Sequence, residues 1–148
     1  MKFKNTFTLF IQDTVHKKKQ LSIKQCEEWL GHVAKSQSRI TLRIVDENES
    51  KKLNKQYRNK DAATNILSFL ILDDPIEGDL VFCHPIIRME AKAQNKKIRD
   101  HYAHLIIHGY LHLLGYDHQN NVDADKMEKM EIKILSKFNI NDPYKDYK

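Results

Sequence analysis

DHYAHLIIHGYLHLLGYDH, residues 100–118, is the stretch that decides the fold. It holds the most apolar run of the chain, opened by Asp100 and closed by Gly115. A carboxylate in the first turn complements the helix dipole, and a glycine just past the last turn takes the left-handed conformation that ends a helix. Residues 100–115 therefore read as a core helix, in a chain whose 148 residues suit one domain with one hydrophobic core. Histidines interrupt the apolar run, so it does not read as a bilayer span, and no other stretch approaches the length required.

Outward from this helix, the rest of the chain sorts by period. A last helix is expected from about Asp123 to Lys137, with Met127, Met130, Ile134 and Leu135 toward the core. On the N-terminal side, Pro85 suits the first turn of a helix running through Met89 and Ala93 to about Lys97. Before it lie an apolar strand, Ile66 to Leu72, a turn over Asp73–Gly78, and a short strand, Asp79 to Cys83. Residues 58–65 are polar and charged, and read as a loop. Asp46 could cap a helix to about Tyr57, with Leu53 and Tyr57 inward. Ile40, Leu42 and Ile44 alternate with polar neighbours, the signature of a half-buried strand. Ser22 and Gln25 form a capping box that opens a helix with Ile23, Cys26, Leu30 and Val33 on one stripe. Phe3 to Ile11 is rich in β-branched and aromatic residues, a further strand. The order β-α-β-α-β-β-α-α-α implies an α+β fold, in the α/β range, with a small mixed four-stranded sheet covered by helices.

Histidines carry the chemistry. His108 and His112 are four apart, on one helix face and one turn apart. Two imidazoles so placed can converge on one ion at ~2.0–2.1 Å. Gly115 lets the chain turn, which could bring in His118 from the side. Three ligands, His108, His112 and His118, with an open fourth position, suit a catalytic zinc ion at the end of a core helix better than a closed structural site. His104 could pair with His108 instead, but His104 and His112 lie roughly 12 Å apart along the axis, too far for all three to share an ion. His101 and His104 are expected at the surface or bonded to backbone. His16, His32 and His84 are isolated. Asp117 either orients a ligand histidine or caps a turn. The spacing overlays the zinc-protease pattern H-E-x-x-H-x-x-G-x-x-H, except that Gly109 stands where the protease has its glutamate base. Glycine can neither polarise water nor shuttle a proton, which counts against proteolysis.

Composition sets the surroundings. Twenty-five Lys and Arg against 20 Asp and Glu give +5 with histidines neutral, a basic balance that favours polyanions such as RNA. Lys60, Lys92, Lys96, Lys97 and Arg99 could track a nucleic-acid backbone. Two cysteines, Cys26 and Cys83, form no C-x-x-C pair, and Cys26, on the apolar stripe of its helix, reads as a buried thiol. The N-terminus MKFKNTFTLFI lacks the uninterrupted apolar core of a signal peptide. A reducing cytoplasm is the expected location, with no membrane partner.

Three blocks remain: Tyr57-Arg58-Asn59-Lys60-Asp61 with Thr64-Asn65-Ile66-Leu67-Ser68-Phe69; Gly78-Asp79-Leu80 leading to Cys83; and the histidine segment followed by Met127 and Glu131. Together they resemble the YbeY family of bacterial rRNA-maturation endoribonucleases, over about half the chain. The resemblance implies a single metal-dependent domain over 1–148 that cuts single-stranded RNA in 16S rRNA 3′-end maturation and ribosome quality control. It implies His108, His112 and His118 as zinc ligands, Arg58 as the functional arginine, and rRNA and ribosomal particles as partners. Arg58 fits independently, because its planar fork pairs bidentately with phosphate. Asp61 and Asp79 are expected to hold loops rather than act as bases. Ala62-Ala63 and Asn59 depart from the family loop, where glycine is common at the latter. A ribosome-assembly factor that acts by binding, its metal stabilising the fold, is the alternative.

Overall fold

The computed structural model describes residues 6–17, 21–116 and 121–145; Asp117 and His118 lie outside them. Along the described chain run β1 (Thr8–Asp13), α1 (Ile23–Leu30), β2 (Arg39–Val45), α2 (Glu47–Arg58), β3 (Ile66–Asp73), β4 (Ile76–Cys83), α3 (His84–Ala93), α4 (Ile98–Leu113) and α5 (Asn121–Ser136). The class is α+β, and the element order is the one the sequence implied. Strand order in the sheet is β1-β2-β4-β3. The β1/β2 and β2/β4 pairs are parallel and β3/β4 is antiparallel. Each parallel pair is joined through a helix, as a crossover requires, whereas only Asp74 and Pro75 separate β3 from β4.

That hairpin is tighter than expected. Gly78 belongs to the ladder, opposite Leu70, not to the turn. A Cβ on Gly78 would lie 2.8 Å from Leu113 and 2.9 Å from the Phe69 carbonyl oxygen. The residue is glycine because chain and helix approach it closely, not because the backbone reverses there.

One face of the sheet carries the main core. Ile40, Leu42 and Ile44 of β2, with Leu80 and Phe82 of β4, are fully buried there with α1 and α4 residues. A smaller cluster, Val45, Leu67 and Val81, has Leu53 of α2 and Phe69 packed against it. The structure corrects two side-chain expectations: Tyr57 and Ile23 are exposed. Helix α2 is almost wholly polar and buries Ser50 and Asn54 instead. It docks through hydrogen bonds more than through apolar area.

Ten of the sixteen residues of α4 are buried, so this helix is the centre of the molecule. It ends in a Schellman motif: Gly115 N–H donates to His112 O, Tyr116 N–H donates to Leu111 O, and Gly115 has φ +102°. Helix α3 stops at Ala93, short of Lys97, because Asn95 turns left-handed at φ 52°. No helix among the described residues is long and apolar enough to cross a membrane.

Candidate metal centre

The face of α4 that is not fully buried presents His104, His108 and His112, each half-buried and one turn from the next. His108 is the pivot. Its Nδ1 lies 3.2 Å from Glu131 Oε2, and its Nε2 lies 3.2 Å from His112 Nε2. A carboxylate fixes the proton on Nδ1 and turns the Nε2 lone pair the other way, toward His112. Two nitrogens bound to one tetrahedral ion at ~2.0–2.1 Å sit about 3.3 Å apart, so the 3.2 Å spacing fits a shared cation.

Glu131 enters from α5 and is completely buried. Its carboxylate meets three donors. His104 Nε2 lies 2.6 Å from Oε2, His108 Nδ1 approaches the same oxygen, and the Tyr144 hydroxyl donates at 2.9 Å to Oε1 and 3.0 Å to Oε2. Burial alone would raise the carboxyl, but the hydrogen bonds and charges of the two histidines outweigh it and bring it to about 2. Burial holds His104 below its ordinary value despite Glu131. The Tyr144 phenol is pushed up by burial and by the carboxylate beside it.

His104, His108 and Glu131 bring ligand atoms within 4.8 Å of one another and could hold a metal ion. Two details separate this trio from the His108/His112 pair. The His104–Glu131 distance of 2.6 Å suits a shared proton better than two ligands spread around an ion. His104 and Glu131 also lie outside the cleft lining, the carboxylate fully engaged, whereas His108 and His112 line an open cleft of about 620 Å³.

Across that cleft stands Arg58, with Thr64, Asn65, Ser68 and Leu70 between. Arg58 Nη2 donates to Ser68 O at 2.7 Å, and the guanidinium lies 5.3 Å from the Phe69 ring centroid. The loop behind it is tied to α2 by the two buried polar residues. Ser50 Oγ donates to Thr64 O and accepts from Thr64 N, and Asn54 Nδ2 donates to Ala62 O. Asn59 closes α2 in the left-handed region at φ 57°, ψ 34°. Asparagine tolerates that region, so the loop keeps the course a glycine would allow.

The structure thus brings together His108, His112 and Arg58 from the sequence reading; His118 falls outside the described residues. It corrects His101 and His104. His101 is buried with Nε2 2.9 Å from Glu90 Oε1, and His104 pairs with Glu131. Lys60, Lys92, Lys96, Lys97 and Arg99 do not line the cleft. Asp61 makes an exposed 3.8 Å pair with Lys51, and Asp79 sits on the opposite sheet face beside Arg43. Sequence reasoning missed a role for Glu131. The signal was there: a carboxylate four residues after Met127, on the same stripe as Ile134 and Leu135, occupies a core position and must be paired. Nothing local marks Tyr144.

An imidazole pair and an arginine fork thus share one open polar cleft on an α+β scaffold, the groups that a metal-dependent hydrolase needs. The family described as Endoribonuclease YbeY matches residues 9–139. Endoribonuclease YbeY from Nitrosomonas eutropha is 48% identical over 118 residues, 79% of this chain and 84% of that protein. Its namesake from Cupriavidus metallidurans is 45% identical over 137 residues, 90% of this chain and 70% of that protein. The solution structure of TM1509 from Thermotoga maritima superposes with a TM-score of 0.62 at 25% identity, covering 88% of this chain and 91% of that one. The chain belongs to the Endoribonuclease YbeY family, and is a hydrolytic enzyme of the nuclease class.

Proposed function

We propose that this protein is a zinc-dependent endoribonuclease of single-stranded RNA, acting in the cytoplasm on rRNA within ribosomal particles, at the 3′ end of 16S rRNA. The supporting observation is that Arg58 and the His108/His112 pair line one cleft. In this reading one ion per chain is held by His108 Nε2, His112 Nε2 and His118, and residues 1–148 act as one domain. Such an ion supplies Lewis acidity and lowers the pKa of a water toward ~7. Glu131 orients His108 for that task, and Tyr144 holds Glu131. Arg58 keeps one arm on Ser68 O and offers its remaining N–H groups to the scissile phosphate. Gly109 offers no base, and no carboxylate lines the cleft among the described residues.

The test is cleavage of a labelled single-stranded RNA by purified protein, with chelator and with zinc restored. Chelation and His112→Ala are each expected to abolish cutting, with about one zinc per wild-type chain by metal analysis. Chelator-insensitive cleavage would overturn the proposal. A metal-stripped protein that still binds ribosomal particles and cuts nothing when reloaded would favour an assembly factor acting by binding.

Arg58→Lys should separate charge from geometry. Lysine keeps the positive charge but loses the fork, so kcat/KM should fall about 10- to 100-fold, the worth of one charge-assisted hydrogen bond at ~1.5–3 kcal/mol. Arg58→Ala should fall at least as far. Kinetics of Arg58→Lys equal to wild type would remove Arg58 from phosphate recognition.

A further inference from the structure

Asn65 lines the cleft that also holds His108 and His112, and its side chain is oriented by a carboxylate. Its backbone is pinned where Cys83 N–H donates to Asn65 O at 2.9 Å. Its amide Nδ2 lies 3.2 and 3.4 Å from the two oxygens of Glu90. Only the NH₂ end of an amide can face a carboxylate, so this contact settles which way Asn65 points. Glu90, on α3, is itself clamped: His101 Nε2 of α4 lies 2.9 Å from its Oε1, and His101 is 3% exposed. The hydrogen bond from His101 draws Glu90 below the ordinary carboxylate value, against its burial, so Glu90 stays an anionic acceptor. One N–H of the Asn65 amide is thereby committed and the amide's direction fixed, which turns carbonyl Oδ1 away from Glu90 as an oriented acceptor.

The polar groups that share this cleft differ in what they can offer. Arg58 only donates. Histidines holding a cation have no lone pair left for a substrate. The hydroxyls of Thr64 and Ser68 rotate and serve as donor or acceptor alike. Asn65 Oδ1 is the acceptor with a fixed direction. On a single RNA strand, the donor that distinguishes ribose from deoxyribose is the 2′-hydroxyl.

We propose that Asn65 reads the ribose, accepting a hydrogen bond from the 2′-hydroxyl of one nucleotide in the cleft, and that Glu90 and His101 are its positioning residues. This rests on the endoribonuclease reading and extends it to the choice of RNA over DNA. The α3–α4 packing is then part of sugar selection, although neither helix contributes Glu90 or His101 to the cleft wall.

The experiment is a single 2′-deoxy scan. A short single-stranded RNA and a set of copies, each lacking one 2′-hydroxyl, are offered to the full-length zinc-loaded protein. Cleavage rate and binding by fluorescence anisotropy are both read. Wild type is expected to lose about ten-fold at one position, the scale of one hydrogen bond and the polar group it leaves unpaired. Asn65→Leu, similar in shape but unable to accept, should itself lose about ten-fold on the all-RNA strand and show no further penalty when that 2′-hydroxyl is removed. Glu90→Leu should blunt it, and Glu90→Gln, which keeps an acceptor for Asn65 Nδ2, should restore it. A merely structural role would move stability without moving the positional profile.

A scan of folded Asn65→Leu identical to wild type would overturn the proposal. So would a wild-type scan with no penalised position, and RNA cleavage would then still stand. If Asn65→Leu does not fold, Glu90→Leu against Glu90→Gln decides in the same way. If wild type cuts no RNA, the endoribonuclease reading fails by itself, and the anisotropy scan alone judges the ribose contact.

Discussion

Gly109→Glu, the substitution that would complete a zinc-protease signature between His108 and His112, is expected to unfold the protein rather than convert it. Gly109 faces the sheet, not the cleft. A Cβ there would lie 2.6 Å from Ile66 Cδ1 and 2.9 Å from Leu80 Cδ2, closer than carbon atoms can approach. These contacts are side-chain ends that must shift, and Leu80 has to do so within the fully buried core, so Gly109→Ala should destabilise by about 1 kcal/mol net of the nearly 1 kcal/mol of helix propensity that alanine gains over glycine. Glutamate adds a carboxylate with no partner between α4 and β3/β4, a burial that costs several kcal/mol more. Thermal melts should place Gly109→Ala a few degrees below wild type, with Gly109→Glu unfolded or insoluble. A folded Gly109→Glu with wild-type stability would mean that α4 does not pack on the sheet as described. The position is glycine because helix and sheet touch there, which also explains why the protease base is missing.

Glu131→Gln should keep the fold and lower zinc affinity about 10- to 100-fold, the usual cost of losing the partner that orients a ligand histidine. Glutamine brings an NH₂ group among three donors, so at least one of His104, His108 and Tyr144 loses its acceptor. Glu131→Leu is harsher. It removes the acceptor that His104, His108 and Tyr144 share, at about 1–3 kcal/mol for each donor left without a substitute, and should lower the melting temperature steeply. Zinc competition against a chromophoric chelator reads the first effect, and unaltered affinity in Glu131→Gln would deny Glu131 its orienting role.

The same residue sets an acid limit on the metal-free protein. Glu131 is lowered from 4.5 to about 2 on folding, so its stabilisation is complete above pH 4.5 and drains away as pH falls toward 2. His104, held below 6.5, charges in the unfolded chain before it does in the folded one, so stability begins to fall already below pH 6.5. Melting temperature against pH, with chelator present, should decline from about 6.5 and more steeply below 4.5. Glu131→Gln should lack the steeper part.

Local signals were enough for much of this molecule. Alternation over Ile40–Ile44, the caps at Ser22 and Asp46, and the Asp100…Gly115 frame place a strand, two helix starts and the central helix, which begins at Ile98 rather than at Asp100, because each rests on backbone geometry within a few residues. The His108/His112 pair was equally legible, since a helix fixes the face of residues four apart. Tertiary structure decided everything that depends on approach between distant elements. Gly78 looked like a turn residue until Leu113 was seen against it, and Tyr57 looked like a core residue until α2 proved to dock through Ser50 and Asn54. His104 reads in the sequence as a surface or backbone-bonded residue because its partner, Glu131, lies 27 positions later on another helix, beside a tyrosine 13 further on. The opening stretch, residues 100–118, determined by itself that a core helix carries paired imidazoles. Only packing showed which nitrogen of His108 faces the cleft and that Arg58 stands across from it, because a proton's location and a cleft's walls are set by neighbours in space.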